Sequence, residues 1–359
     1  MSRRVFLHVG APKTGSTFVQ NVLWDNRESL KRAGFLLPAG RKEQDDAMAD
    51  LRQAPWRDPD GRCTWDQLVE PLHRWAGDVI ITNEGLGGAT AEQAARAVAS
   101  LRPAEVHIIV VGRDLWRTLP SMWQESIRSR SLWSFEEFLR AIEEGRHDAF
   151  WNHTANRMLL RWGDLVPPER RHLITMPPPG SPELLLWERF AGVVGIPDGL
   201  CEIGEQSANP SLGAAEIELL RRVNRALGDR HPHRMPYRRV VQRHLINPVL
   251  KSSKNDLRFT IGMNRAKWIS DLTEERIKEL QEYPCHIVGD LGELRPADMT
   301  EGVSFDQITE KQMMDLAVET IIQLLGYADE LHRQAELSRG DMLARIKKRV
   351  RRRLPIGRV

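Results

Sequence analysis

Nine consecutive residues near the start of the chain, Gly10 to Phe18 (GAPKTGSTF), carry the strongest chemical signal. Gly10 and Gly15 let the backbone come close to a ligand. The amides of Thr14 to Thr17 fall at the start of a helix-forming run, where N–H groups lack intrahelical partners and favour an anion. Lys13 adds a point charge, and the hydroxyls of Thr14, Ser16 and Thr17 add donors. Together these parts make a phosphate cradle. The order of the parts narrows the chemistry. A nucleoside-triphosphatase P-loop reads GxxxxGK[ST], with the lysine after the last glycine. Here Lys13 precedes Gly15, and Ser16 and Thr17 follow it, which weighs against a kinase or ATPase.

The elements around this segment place it at a strand-to-helix junction. Residues 5–9 (VFLHV) form a short β-rich run bounded by Gly10 and Pro12 and read as a buried strand. From Ser16 the apolar period becomes helical, through Phe18, Val19, Val22, Leu23 and Leu30, with Gly34 as the stop. Residues 79–82 (VIIT), 106–111 (VHIIVV) and 172–176 (HLITM) read as further strands. Thr90 with Gln93 and Ser134 with Glu137 are capping boxes that open helices. Further helices are expected from Leu115 to Arg128, from Trp151 to Trp162 and after Ser181 and Pro182, whereas 40–64 reads as a polar surface loop or lid. Strands alternate with helices to about residue 200, which predicts an α/β three-layer sandwich with a central, mainly parallel sheet and a helical C-terminal region. One more short strand is expected at 286–289 (HIVG). The expected organisation is an α/β core over 1–215, a mostly helical region over 216–330 that completes the domain, and a basic tail over 331–359. In such sheets ligands bind at the carboxyl ends of the strands, where Gly10 to Phe18 lies.

The order PKTGST, with Phe18 after it, resembles the 5′-phosphosulfate loop of sulfotransferases that use 3′-phosphoadenosine 5′-phosphosulfate (PAPS), whose motif is PK[ST]G[ST]T followed by an aromatic residue. The resemblance covers roughly residues 5–215 and looks like a bacterial branch of that family. It implies a second signature, an Arg at the end of a central strand and a Ser eight residues later that hold the 3′-phosphate. Arg113 follows VHIIVV, and Ser121 stands at that spacing; Leu115 replaces the Pro that family members often carry. It also implies in-line transfer of a sulfuryl group to an acceptor hydroxyl on a small molecule, lipid or saccharide, with PAPS as co-substrate, 3′-phosphoadenosine 5′-phosphate as product and no metal. Lys13 is then the group beside the leaving oxygen, and residues 13–18 hold the 5′-phosphate. The family's base is a His or Glu near the end of an early strand, which selects Glu84 in ITNEG, with His153 as a rival. His8 and His107 lie inside strands and read as core residues. Trp123, Trp133 and Trp151 fall where aromatic faces could meet an acceptor or pack the core. Two other readings stay open, a P-loop-like kinase and a nucleotide-binding module without catalysis.

Composition bounds the rest. The chain has 359 residues, 52 Lys plus Arg and 49 Asp plus Glu, so the net charge of +3 is too small to steer the whole molecule onto nucleic acid. The charge is uneven. Residues 342–359 hold eight basic residues and no acid, leaving the rest of the chain at −5. Leu343, Ile346, Val350 and Leu354 form a stripe among them, a pattern suited to an anionic membrane surface or an acidic partner. Cys63, Cys201 and Cys285 form no CxxC pair, which argues against a disulfide scaffold or structural zinc and for reduced thiols. No stretch approaches ~18 apolar residues. The expectation is a cytoplasmic enzyme with, at most, a peripheral membrane contact through its tail.

Overall fold

The computed structural model describes residues 3–58, 61–204, 212–231, 234–252, 259–297, 299 and 308–353, with the side chains of 234, 235, 252 and 338–353 left aside. It divides into two compact units, 1–209 with 258–304 and 210–257 with 305–359.

The first unit is built on six strands: β1 (Arg4–Gly10), β2 (Phe35–Leu36), β3 (Asp78–Thr82), β4 (Glu105–Gly112), β5 (Arg171–Thr175) and β6 (His286–Val288). They form one sheet in the order β2-β3-β1-β4-β5-β6, with every neighbouring pair parallel. Helices α1 (Ser16–Asp25) and α2 (Arg27–Arg32) join β1 to β2; α3 (Arg41–Leu51) and α4 (Trp65–Val69) join β2 to β3; α5 (Ala91–Ser100) joins β3 to β4. Between β4 and β5 run α6 (Leu115–Arg128), α7 (Phe135–Glu143), α8 (Asp148–Asn152) and α9 (Ala155–Met158), the last continued by a π-turn at Leu159–Gly163. Helix α10 (Leu185–Val194) follows β5, and α13 (Ala266–Glu282) precedes β6.

The sheet is covered on both faces because its central strands are apolar on both. Val5, Leu7 and Val9 of β1 point into one core with Leu51, Ala94, Met158 and Trp162. Phe6, Ile80, Ile109 and Ile174 point into the other with Val19, Leu23 and Phe190. Chain direction explains the split. From β1 the chain moves one way along the sheet to β2, and every later step moves the other way. Right-handed crossovers then put α1 on one face and α3, α5 and α9 on the opposite one. The chain reverses around β1, so the carboxyl ends of β1, β3 and β4 share one rim.

The structure departs from the sequence expectations in three places. The segment 40–64 is not a loop throughout: 41–51 folds as helix α3, and among its described residues the part from Arg52 to Thr64 is turn and coil. The buried side of α3 is Gln44, Ala47, Ala49 and a single large apolar residue, Leu51, so it has little apolar signature. Gln44 is buried because its amide donates to Pro38 O at 3.0 Å and accepts from Thr82 N at 3.2 Å. The helix expected over Trp151 to Trp162 is interrupted at His153 and Thr154, where the Thr154 hydroxyl donates back to Trp151 O at 2.9 Å. The first helical run breaks at Asn26, whose side chain leaves the helix to bond Glu202 O at 2.7 Å and Glu202 N at 2.8 Å.

The second unit is helical: α11 (Ala214–Leu227), α12 (Arg234–Tyr237), a π-turn at Arg238–Ile246 and α14 (Glu310–Arg353). Within it, Arg222 grips Glu310 with two bonds of 2.9 and 2.8 Å, and Tyr237 donates to Asn224 at 2.6 Å. The basic stretch read from the sequence is helical in its backbone to Arg353; residues 354–359 and the stretch's side chains lie outside the described residues. Among the described residues no helix is long and apolar enough to cross a membrane.

Candidate functional site

The loop from Gly10 to Gly15 follows the strand ending at Gly10 and feeds α1. Ala11 N donates to Val111 O at 3.1 Å, which ties the loop's start to β4. The Thr14 hydroxyl is buried and donates to Ala11 O at 2.6 Å, closing the turn on itself. Gly15 has φ +84° and caps α1. A Cβ there would stand 2.5 Å from Leu186 and 3.1 Å from the Met176 sulfur, so both conformation and packing demand glycine. Lys13 also takes a positive φ of 65°, an uncommon state for a lysine. The first amides bonded back into α1 are those of Phe18 and Val19, both to Gly15 O. Among the described residues, the amides of Thr14, Gly15, Ser16 and Thr17 donate to no backbone or side-chain acceptor. Thr17 is exposed, Ser16 is buried, and Phe18 packs partly into the α1 core.

Arg113 leaves the end of β4 and returns to this loop. Its Nη1 donates to Lys13 O at 2.6 Å. Its Nε is buried and meets no acceptor. Burial, with Arg117 adding repulsion against the pull of Asp114, depresses the guanidinium to about 10. It stays cationic at neutral pH in surroundings that would gain from an anion. Asp114 caps α6 by accepting from Arg117 N at 2.9 Å and also pairs with the Arg117 guanidinium. Ser121 stands two turns along α6; its hydroxyl donates into its own helix, to Arg117 O at 3.0 Å, and is not joined to Arg113.

One residue here escaped the sequence reading. The Lys13 ammonium reaches α6 and pairs with Glu125 at 2.9 Å, and Arg128 shares that carboxylate at 3.2 Å. Glu125 lies four residues after Ser121, on the same helical face, and that spacing was the available signal.

Glu84 follows the end of β3 and accepts a hydrogen bond from the Ser16 hydroxyl, so this carboxylate touches the loop directly. Asn83 supports the turn by accepting from Gly85 N at 2.9 Å. The three glycines after Glu84 serve close packing: a Cβ on Gly85 would stand 2.6 Å from Met48, on Gly87 2.3 Å from Met158 and on Gly88 2.4 Å from Arg52. Two arginines cap this turn's carbonyls. Arg52 donates to Gly85 O at 2.9 Å, and Arg161 donates to Gly87 O and, at 2.7 Å, to Asn152 O.

His153 lies on the same side, in the break between α8 and α9. Its Nδ1 donates to Ala149 O at 2.6 Å, which leaves Nε2 as the basic nitrogen of the neutral ring. Burial lowers its pKa, and Arg52 and Arg161 lower it further. A cavity runs from Thr14 and Arg113 past Thr118, Trp151 and His153 to Arg276. Arg276 stacks over the Trp151 ring at 4.9 Å. Of the other tryptophans singled out, Trp123 is fully buried and donates to Trp133 O at 2.9 Å, while Trp133 is exposed. His8 is buried against Thr82 at 2.9 Å, and His107 joins His172 at 3.0 Å, so both are held within the sheet. Among the described residues no group of three or more His, Cys, Asp or Glu side chains is placed to hold a metal.

The arrangement can therefore bind an anion on open amides, set a lysine beside it, hold a buried arginine under the same loop and keep a carboxylate in contact with a loop hydroxyl. No protein-family model matches the chain, and no curated protein matches it. Among solved structures, the crystal structure of mouse sulfotransferase SULT7A1 complexed with PAP is similar over 78% of this chain and 89% of that one, at 15% identity and a TM-score of 0.38. Likeness at that level is too low to carry an argument, so the geometry of the loop and its neighbours must bear the functional reading alone.

Proposed function

We propose that the chain is a sulfotransferase that takes PAPS as co-substrate and transfers its sulfuryl group to an acceptor hydroxyl. One observation carries the reading: the lysine-before-glycine loop on the rim of the parallel sheet is touched from one side by Arg113 through Lys13 O and from the other by Glu84 through Ser16. The residues fit a doubly phosphorylated nucleotide. Free amides at Thr14 to Thr17 suit the 5′-phosphate, and the buried, unpartnered Nε of Arg113 suits a second anion near it.

The co-substrate supplies the sulfuryl group and a phosphate leaving group. What the chain must do is position and stabilise. The loop amides hold negative charge without needing to reorganise. Lys13 stands at the loop's crest and, on leaving Glu125, can place its ammonium where charge develops on the leaving oxygen. Glu84 can accept the acceptor's proton once the Ser16 hydroxyl yields, and His153 Nε2 is the rival acceptor. The acceptor's body is assigned to the cavity beside the loop, where Trp151 offers an aromatic face and Arg276 a cation. This chemistry asks for charge stabilisation by amides and a lysine, and it has no step that calls for a metal.

The test is calorimetric titration with 3′-phosphoadenosine 5′-phosphate and with Mg-ATP, followed by transfer assays from PAPS to a panel of hydroxyl acceptors. The expected result is binding of the bisphosphate, with Arg113→Ala losing about 1.5–3 kcal/mol, a 10- to 100-fold weakening, as for a charged hydrogen bond. Lys13→Ala should abolish transfer. Binding of Mg-ATP alone overturns the reading in favour of a kinase. Binding of the bisphosphate without transfer to any acceptor overturns it in favour of a non-catalytic module.

A further inference from the structure

The cavity beside the loop carries charge of one sign only. Its apolar wall includes Leu115, Met122, Phe150, Leu272 and Leu294. Among the described residues its titratable side chains are Arg113, His153 and Arg276, and no carboxylate lines it. Two more guanidiniums, Arg52 and Arg161, lie close enough to His153 to add to the effect of its burial and keep the imidazole neutral near pH 7. The positive field inside the cavity therefore comes from arginines.

Four residues of the same wall hold buried polar atoms with no hydrogen-bond partner: Arg113 Nε, Thr118 Oγ1, Trp151 Nε1 and Arg276 Nε. A buried N–H without an acceptor is costly, and a ligand that supplies the acceptor removes the cost. Arg113 lies under the loop and serves the nucleotide. The other two N–H groups share the far end, because the Arg276 guanidinium lies over the Trp151 ring at 4.9 Å. That end is held in place from two helices. Arg276 Nη1 donates to Glu279 at 2.8 Å, and buried Asn156 donates to Arg276 O at 2.8 Å and to Glu279 at 3.0 Å. The Arg276 side chain is 13% exposed and that of Glu279 43%, so solvent screens the carboxylate more than the guanidinium. Glu279 still answers part of the charge, which leaves this end suited to one negative charge rather than two.

We propose that the acceptor is an apolar hydroxy acid whose carboxylate is bound by Arg276 and Trp151 at the far end of the cavity, with its body along Leu272 and Leu294 and its hydroxyl towards the loop. The hydroxyl's part rests on the sulfotransferase reading, whereas the carboxylate site does not. In the transfer the hydroxyl oxygen bonds to sulfur. The bond from sulfur to the bridging oxygen breaks with its electron pair staying on the 5′-phosphate, and the hydroxyl proton goes to Glu84. A neutral acceptor would leave the guanidinium unanswered, and an amine would meet only like charge.

The experiment is calorimetric titration of the full chain, with and without saturating 3′-phosphoadenosine 5′-phosphate. The probes are two hydroxy acids of different length, 4-hydroxyphenylacetate and 4′-hydroxybiphenyl-4-carboxylate, and the amide of each. At least one acid should bind about tenfold or more tightly than its amide. Arg276→Gln combined with Glu279→Gln removes both charges together and should bring the acid down to the affinity of its amide. Trp151→Phe keeps a ring, loses the N–H and should weaken the acid about three- to tenfold. Both variants should keep the wild-type circular dichroism and bind the bisphosphate within about threefold of wild type. Equal binding of acid and amide overturns the inference. So does an acid preference that survives the 276/279 variant, or no binding of either acid at millimolar concentration. A chain that fails to bind the bisphosphate but keeps an Arg276-dependent acid preference overturns the sulfotransferase reading and supports the carboxylate site.

Discussion

Releasing Lys13 from Glu125 should strengthen nucleotide binding. The two side chains pair at 2.9 Å, with 28% of the lysine and 43% of the glutamate side chain exposed. A pair so open to solvent is worth about 0–1 kcal/mol. Glu125→Gln removes that competitor and also a negative charge close to the anion cradle, and both effects act in the same direction. The expected gain in affinity for 3′-phosphoadenosine 5′-phosphate is therefore about two- to tenfold, up to roughly 1.4 kcal/mol. The gain should shrink as salt is raised, because exposed charges are screened. Calorimetry on four proteins decides the matter: wild type, Glu125→Gln, Lys13→Ala and the double variant. If Glu125 acts through Lys13, the substitution at 125 has little effect once Lys13 is gone. Weaker binding by Glu125→Gln would show that the carboxylate holds Lys13 in its working position. An equal gain in the Lys13→Ala background would show that Lys13 is not the group involved.

Three further expectations address other parts of the molecule. Gly15→Ala should cost about 2–4 kcal/mol, combining a left-handed φ with a methyl forced against Leu186, and a denaturant midpoint unchanged from wild type would contradict the loop geometry. Glu84→Gln should slow transfer while leaving nucleotide affinity within about threefold, whereas the same loss from His153→Gln and not from Glu84→Gln would move the base to the imidazole. The histidines of the sheet should make the fold acid-sensitive. Burial lowers His8, His107 and His172 each from 6.5 to about 4, with Arg4 also acting on His107 and its imidazole neighbours on His172. The unfolded chain then binds protons that the folded one refuses, so stability is full above about pH 6.5 and is lost as pH falls towards 4. A melting temperature flat across that window would refute the assignment, and His172→Phe should reduce its slope.

The three-layer architecture was legible because burial on both faces leaves a plain trace. Short β-branched runs such as VHIIVV mark strands buried on both faces, and the capping boxes at Thr90 and Ser134 mark helix starts by local hydrogen bonding alone. The segment 41–51 was not legible, because its buried face is two alanines, a satisfied glutamine and one leucine rather than a hydrophobic stripe. The break at His153 was equally silent, since nothing in FWNHTAN says that Thr154 will bond backwards.

The same division holds at the site. Residue order alone was enough to single out Gly10 to Phe18, because glycine, lysine and hydroxyls at a strand-to-helix junction act over a few consecutive bonds. The family resemblance, applied to strand ends, nominated Arg113 and Glu84. Their meeting was settled by the tertiary structure, since it depends on β3 and β4 flanking β1 in one sheet and on a guanidinium threading under the loop to Lys13 O. Arg52 and Arg161 were beyond reach for the same reason, and Glu125 offered only its helical spacing from Ser121. A partner supplied from 33 to 112 residues away is chosen by packing and pairing in space, and neither leaves a period in the chain.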